Sequence, residues 1–295
     1  PGAAAGSGGV VMAMAFNPQA ENVVEIENLG HIYQPMGQVA LKNINLTIRK
    51  GEFVALIGQN GSGKTTLIKH LNGLLKPTSG SVRVGGVEVA DQLVSDMSHY
   101  IGYVFQNPAH QIFSDTVESE VAFGPKNLGF SPEEVAATVE KTLDEVGLLP
   151  LRKQMPFMLG RGQMQRLAIA SILSMKPSVL IIDEPTTGLD WGECIRVMEL
   201  VKQLNEAGHT IIMTTHNMNL VSLYASRVVV LRLGEKLLDG TVDEVFSRTE
   251  ELKTAYIKPP QVFRLMAAFP EIAVDSYEIP QVAERILAAC REKGA

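Results

Sequence analysis

Apolar and polar residues alternate along Val23–Leu29 and Ala40–Ile48, the two-residue period of strands with one buried face, and predict an early antiparallel pair. Phe53-Val54-Ala55-Leu56-Ile57 is apolar without interruption, the pattern of a strand covered on both faces of a parallel sheet. A glycine-rich turn follows. Thr66–Leu75 then reads as a helix stopped by Pro77–Gly80, and Ser81–Val89 as a hairpin turning at Gly85-Gly86.

The pattern changes over Asp91–Pro150, which reads as a mostly helical insert. Ser131-Pro132-Glu133-Glu134 opens a helix, with Ser as N-cap, Pro in the first turn and Glu three residues after Ser. Val135, Val139, Leu143 and Val146 then form one apolar stripe, with Gly147 as its C-cap and Asp144 and Glu145 on a solvated face. Arg161–Ser174 predicts a further helix and Val179–Ile182 a buried strand. Trp191–Ala207 predicts a helix closed by Gly208, and Thr210–Thr214 and Val228–Leu231 two more strands. Thr241-Val242-Asp243-Glu244 opens a helix by the capping-box rule. Strands alternating with helices make an α/β sheet carrying a helical arm. There is no internal repeat.

Length and charge narrow the function classes. A chain of 295 residues with 45% hydrophobic residues can bury a real core. Its net charge of −6 argues against broad nucleic-acid binding, which needs a basic face. No apolar run approaches the ~20 residues needed to cross a bilayer, so a membrane role would need another spanning chain. Cys194 and Cys290 lack metal-ligand spacing and read as reduced thiols. Pro1–Ala20, rich in Gly and Ala, reads as a linker, a tag remnant or a ragged terminus.

The chemistry begins at Gly58-Gln59-Asn60-Gly61-Ser62-Gly63-Lys64-Thr65, which fits G-x-x-x-x-G-K-[ST] at every fixed position, between a buried strand and a helix. Glycines let backbone amides curl around an anion, and the helix N-terminus adds a positive dipole end. Lys64 is expected to bridge the β- and γ-phosphates, and Thr65 to offer its hydroxyl to Mg²⁺. Val179–Ile182 runs into Asp183-Glu184. Two acids after a strand can simply be a solvated strand end. Beside the phosphate loop they suit a metal carboxylate, Asp183, and a base that polarises the attacking water, Glu184. His216 ends another strand and could meet the γ-phosphate. A lone histidine is more often structural, which is the reading for His31, His70, His99, His110 and His209.

The order of these motifs resembles an ABC transporter ATPase over about residues 23 to 245. The resemblance implies a P-loop α/β nucleotide-binding domain with an antiparallel β subdomain. It adds a helical subdomain at about 91–175 and a C-terminal helical extension over 246–295, with 1–22 as a linker or tag-like disordered segment. Tyr33 resembles the aromatic that stacks on adenine, Gly58 to Thr66 the Walker A loop, and Gln106 the Q-loop glutamine of the Mg²⁺ shell. Asp183-Glu184 resembles Walker B with its catalytic base, Gly188-Leu189-Asp190 the D-loop, and His216 the switch histidine. ATP and Mg²⁺ are the implied ligands. A second ATPase subunit, paralogue or copy, is implied in a head-to-tail dimer.

The segments around Phe105–Pro108, Gln111–Phe113, Thr116–Pro125 and Pro259–Leu265 narrow the resemblance to energy-coupling factor (ECF) transporter ATPases. These import vitamins or Co²⁺/Ni²⁺ with a transmembrane scaffold and a membrane-embedded binding subunit, and lie peripherally on the cytoplasmic face of the membrane. A soluble ABC-type ATPase of DNA repair or translation is the alternative, disfavoured by the acidic charge and the lack of a coiled-coil insert. The signature departs from the family's Leu-Ser-Gly-Gly-Gln, reading Leu159-Gly160-Arg161-Gly162-Gln163. Gly160 lacks the hydroxyl that would bond the partner's γ-phosphate. Arg161 stands where a left-handed backbone would cost ~1–2 kcal/mol. Arg161 therefore either weakens the site it completes, as in a heterodimer with one weak site, or replaces the lost contact with its guanidinium.

Overall fold

The computed structural model describes residues 21–269 and 279–293. The expected linker or tag-like segment lies outside the described residues up to residue 20, and Asn22 already opens the first strand. In chain order the strands are β1 (Asn22–Tyr33), β2 (Gln38–Arg49), β3 (Phe53–Ile57), β4 (Ser79–Val84), β5 (Val87–Glu88), β6 (Ile101–Val104), β7 (Val179–Asp183), β8 (Thr210–Thr214), β9 (Arg227–Arg232) and β10 (Glu235–Thr241). The helices are α1 (Lys64–Leu71), α2 (Val94–Met97), α3 (Val117–Asn127), α4 (Pro132–Glu145), α5 (Arg161–Leu173), α6 (Trp191–Glu206), α7 (Met218–Tyr224), α8 (Val242–Ser247), α9 (Thr249–Thr254), α10 (Gln261–Ala267) and α11 (Ile279–Lys293). No helix among the described residues is long and apolar enough to cross a membrane.

Two sheets carry the architecture. An antiparallel sheet has the order β2-β1-β4-β5, and a six-stranded sheet the order β10-β9-β3-β8-β7-β6, parallel except for the edge strand β10. The uninterrupted apolar runs of the central strands have a direct cause. Val54 and Leu56 of β3, with Val179 and Ile181 of β7, face one core shared with the antiparallel sheet and α1. Phe53, Ala55 and Ile57, with Leu180 and Ile182, face a second core covered by α5 and α6. Each strand alternates between two dry faces, so every position must be apolar.

Several sequence expectations shift at their ends. The first helix begins at Lys64 and stops at Leu71, because Gly73 takes φ 78 and reverses the chain before Leu75. The stretch expected to be mostly helical contains a strand, β6, paired in parallel with β7. Four residues interrupted by Gly102 are too short for periodicity to declare. Ser131 caps α4 as its sequence predicts: its hydroxyl accepts the Glu134 N–H at 3.2 Å, and Glu134 Oε2 accepts the Ser131 N–H at 2.8 Å. Asp144 and Glu145 are exposed on that helix. Helices α8, α9 and α10 join the core covered by α5 and α6, where Phe263 of α10 meets Phe246 of α8 edge to face at 5.1 Å.

Arg227 pins the two sheets together. Its guanidinium donates to Thr47 O of β2 at 2.9 Å and Glu52 Oε2 at 3.0 Å, and to both oxygens of Asp239 on β10 at 2.8 and 3.0 Å. Removing a single member of a buried charge network leaves the others uncompensated, which costs about 3–5 kcal/mol. Arg227→Met should lower unfolding stability by about 3 kcal/mol in a urea titration. A triple variant that also neutralises Glu52 and Asp239 should recover much of that loss. Equal stability of single variant and parent would show that the network joins nothing.

Candidate active site

Parallel strands end together. The carboxyl ends of β3, β8, β7 and β6 share one edge of the sheet, and each runs into residues the sequence singled out. Gly58 follows β3, His216 lies just past β8, Asp183 closes β7 with Glu184 behind it, and Gln106 stands two residues beyond β6. The crevice outside such carboxyl ends is where open α/β sheets hold ligands.

The loop from Gly58 to Thr65 joins β3 to α1. Gly63 is the N-cap of α1 at φ 107, and a Cβ there would sit 2.8 Å from Leu41 Cδ2 and 3.0 Å from Ala40 O. Only glycine fits both the angle and the space. No side chain caps α1, so its first amides are left for an external acceptor. Gln59, Asn60, Gly61 and Thr65 are exposed on the rim, and the Ser62 hydroxyl is buried without a hydrogen-bond partner. Lys64 Nζ folds over the loop and donates to Gly58 O at 2.6 Å and Gln59 O at 3.0 Å. Burial draws the Lys64 ammonium below the ordinary lysine value, against the opposing pull of Glu184 and Asp183. Free amides, an orphaned hydroxyl and an ammonium are the donors a chain of phosphates requires.

Opposite the loop, Asp183 is clamped from both neighbouring strands. Tyr103 of β6 donates its hydroxyl to Asp183 Oδ2 at 2.8 Å, and Thr214 of β8 donates to Oδ1. Glu184 sits at φ 48, a left-handed backbone that a glutamate adopts at some cost. Its N–H is held by Thr214 O at 3.1 Å. Burial raises the Glu184 carboxyl above the usual glutamate range. Nearby Asp183 adds to that rise, while His216 and Lys64 oppose it. His216 Nε2 lies 3.2 Å from Glu184 Oε1 but is not aligned to bond it, and that oxygen is buried without a donor. Asp183 and the Thr65 hydroxyl offer the hard oxygen donors that Mg²⁺ prefers. Gln106 is exposed two residues past the end of β6.

Tyr33, at the end of β1, leans on the loop helix: its hydroxyl lies 3.1 Å from Thr66 Oγ1. Behind it His31 packs edge-on at 4.6 Å between centroids, and His31 Nδ1 lies 3.1 Å from Nε2 of the fully buried His70. His70 Nδ1 meets Thr66 O at 2.7 Å. These two histidines are structural, as their sequence reading has it, and they brace Tyr33 against α1.

The signature region corrects one expectation. Gly160 is the N-cap of α5 at φ −64, and Arg161 is the first helical residue. Arg161 therefore has no left-handed backbone and carries no such strain. Its Nη1 instead donates to Gly188 O at 3.0 Å. Gly162 is packed against Glu193, whose carboxylate a Cβ would strike at 1.9 Å. Gln163 Oε1 accepts the Gly160 N–H at 2.9 Å, and no side chain caps the α5 N-terminus. Asp190 caps α6 by accepting the Glu193 N–H at 2.9 Å. The Gly160–Gln163 turn and Asp190 join each other through Arg161–Gly188 and Gly162–Glu193.

Sequence reasoning missed Tyr103, Thr214 and the Thr66 contact. The available signal was a polar side chain inside an apolar strand: Thr214 is 1% exposed, and a buried hydroxyl needs a partner.

Known proteins resemble this chain in sequence and in fold. The family model described as ABC transporter matches residues 41–187, and one described as "AAA domain, putative AbiEii toxin, Type IV TA system" matches 156–222. The chain is 50% identical over 243 residues to a putative ABC transporter ATP-binding protein of Caldanaerobacter subterraneus, covering 82% of this chain. It spans only 42% of that relative's length. It is 44% identical to the energy-coupling factor transporter ATP-binding protein EcfA2 of Clostridium perfringens, covering 91% of this chain and 98% of the relative. Among solved structures, cbiO1 of C. perfringens, part of the ABC transporter complex cbiONQ, superposes with a TM-score of 0.73 at 36% identity. That match covers 83% of this chain and 98% of the other. A dimeric ATP-binding cassette in a post-hydrolysis state with ADP and Pi gives 0.66 at 31% identity over 74% and 98%.

The buried histidines set a pH dependence. Burial pulls the His70 and His209 imidazoles below the ordinary histidine value. The folded protein thus holds them neutral, and the stability this provides is complete above the unfolded value of about 6.5. It is lost as pH falls toward the folded values, because the unfolded chain takes up protons the buried rings refuse. The melting temperature should drop on acidification below neutrality, and His70→Gln should flatten that drop. Parallel pH profiles for parent and variant would remove His70 from the account.

Proposed function

The chain belongs to the ABC transporter ATPase family, and from that premise we propose that it is the motor subunit of an ECF-type importer, powering uptake of a small molecule such as a vitamin or a transition-metal ion. The observation that carries the reading is the juxtaposition, at one strand edge, of the Gly58–Thr65 amides and the Lys64 ammonium with the Asp183–Glu184 carboxylates.

The residues divide the work. Tyr33 stacks on the adenine. The amides and hydroxyls from Gly58 to Thr66 hold the phosphates, and Lys64 exchanges its loop carbonyls for β- and γ-phosphate oxygens. Thr65, Gln106 and Asp183 would hold Mg²⁺, which would neutralise phosphate charge when bound. Glu184, its carboxyl raised by burial, is the stronger base for that rise and draws a proton from the attacking water. His216 steadies Glu184 through its backbone N–H, which donates to Glu184 Oε2 at 3.3 Å, and its ring would face the γ-phosphate. The uncapped N-terminus of α5, with Gly160, Arg161, Gly162 and Gln163, completes the site of a second ATPase subunit, and Asp190 lies at the joint between the two.

An apolar surface on the helical arm fits a membrane partner. Phe113 and Phe123 meet edge to face at 4.7 Å, and both are exposed. The segment bearing exposed Met155, Phe157 and Met158 is tied to the start of α3 by a 3.0 Å bond from Val117 N to Gln154 O. Exposed aromatics clustered this way mark an interaction surface. A transmembrane scaffold docking there would hold the subunit peripherally at the cytoplasmic face and, with a membrane binding subunit, would choose the substrate.

Two measurements test the reading. Glu184→Gln should lower kcat by at least about 100-fold while ATP still drives dimerisation in gel filtration, as expected for loss of a general base. Turnover at the parental rate would reject Glu184 as the base. Phe157→Asp should leave the ATPase rate of the isolated subunit unchanged and abolish its co-purification with membrane subunits. Retained co-purification would move the docking surface elsewhere.

A further inference from the structure

Tyr103 has no part in the mechanism above, yet it holds the carboxylate on which the metal depends. We propose that Tyr103 is a positioning residue for Asp183, and that Gln111 braces the segment carrying Tyr103 against α5. The metal carboxylate is thereby linked to the helix whose N-terminus meets the partner's nucleotide. The inference rests on the assignment of Asp183 to the metal.

The link is continuous in the structure. Tyr103 pairs with Ile181 across the β6–β7 ladder, and its side chain reaches two residues along to Asp183 Oδ2 at 2.8 Å. Thr214 supplies the matching donor to Oδ1 from the opposite strand. The carboxylate is thus gripped at both oxygens and cannot rotate without losing a charge-assisted bond. The Tyr103 ring meets Phe105 edge to face, with centroids 4.9 Å apart at 70°. Phe105 is bound in turn: Gln111 Oε1 accepts its N–H at 3.2 Å. The other end of the Gln111 amide donates to Ala168 O and Ser171 Oγ of α5, both at 2.9 Å. One glutamine therefore clasps the strand end and the helix with opposite ends of its side chain.

This arrangement gives the helical arm a mechanical connection to the metal site that bypasses Gln106. A rotation of α5 carries Ala168 and Ser171, and through Gln111 and Phe105 it moves the Tyr103 hydroxyl. Asp183 then either keeps or loses its second donor. Such a path rests on bonded contacts between packed elements, which is what physical coupling requires.

The test uses the full chain and reads metal binding directly. Mn²⁺ affinity in the presence of a non-hydrolysable ATP analogue would be measured by electron paramagnetic resonance, alongside analogue binding in EDTA. Tyr103→Phe keeps the ring and removes only the donor. It should weaken Mn²⁺ binding about tenfold, the size expected for losing one hydrogen bond to a charged group, and leave metal-free analogue binding unchanged. Gln111→Leu should weaken Mn²⁺ binding in the same direction, and the double variant should be no weaker than Tyr103→Phe alone. Parental Mn²⁺ affinity in Tyr103→Phe overturns the positioning role. Additive effects of the two substitutions overturn the brace. Loss of metal-free analogue binding in step with Mn²⁺ binding also overturns the proposal, since it would mark general damage. A parent chain that binds no Mn²⁺ with the analogue would instead reject the assignment of Asp183, a distinguishable result.

Discussion

Opposite charges confined to one partly buried crevice are the constraint on which the rest of the structure depends. Lys64 on one side and Glu184 on the other are each held where burial disfavours charge. They tolerate it because they face each other. Burial lowers the lysine and raises the glutamate, while each pulls the other back. The parallel order of β6, β7, β8 and β3 makes this possible. Only strands running the same way deliver four loops to one edge, and only side chains dry on both faces let those strands stack between two cores.

Strain at the edge is held by the same framework. Glu184 adopts φ 48, yet its amide is fixed by Thr214, whose hydroxyl also grips Asp183. A buried threonine thus fixes the backbone of one carboxylate and the side chain of its neighbour. That explains why a polar residue follows the apolar Ile211–Met213 at the end of the strand. On the far side of α1, the His31–His70 pair performs a similar task for Tyr33, with ring packing in place of a charge. In both places a side chain at the strand ends is held by a buried polar neighbour.

This division also separates what the sequence reveals from what it hides. Strands β3 and β7 are legible because burial on both faces forbids polar residues for a whole strand length. The phosphate loop is legible because its glycines answer a backbone requirement, as Gly63 shows by the space it lacks for a Cβ. Helix α4 is legible because its capping box is local, four residues wide. Tyr103 is invisible for the opposite reason. Its partner lies 80 positions away, and nothing in a tyrosine on a four-residue strand announces which carboxylate it will reach. The strand itself is hidden too, since β6 borrows its stability from β7 rather than from its own pattern.

Arg161 shows how a departure from a motif is decided by structure rather than by substitution rules. Read as a replacement for glycine, it promises strain. Read in place, it opens α5 in ordinary helical geometry, and the adjacent Gly162 is the position that tolerates no side chain, because Glu193 fills the space. The guanidinium is spent on the Gly188 carbonyl within its own chain. The arginine therefore carries no left-handed strain, and its bond to the Gly188 carbonyl ties the start of α5 to the segment that leads to Asp190, the N-cap of α6.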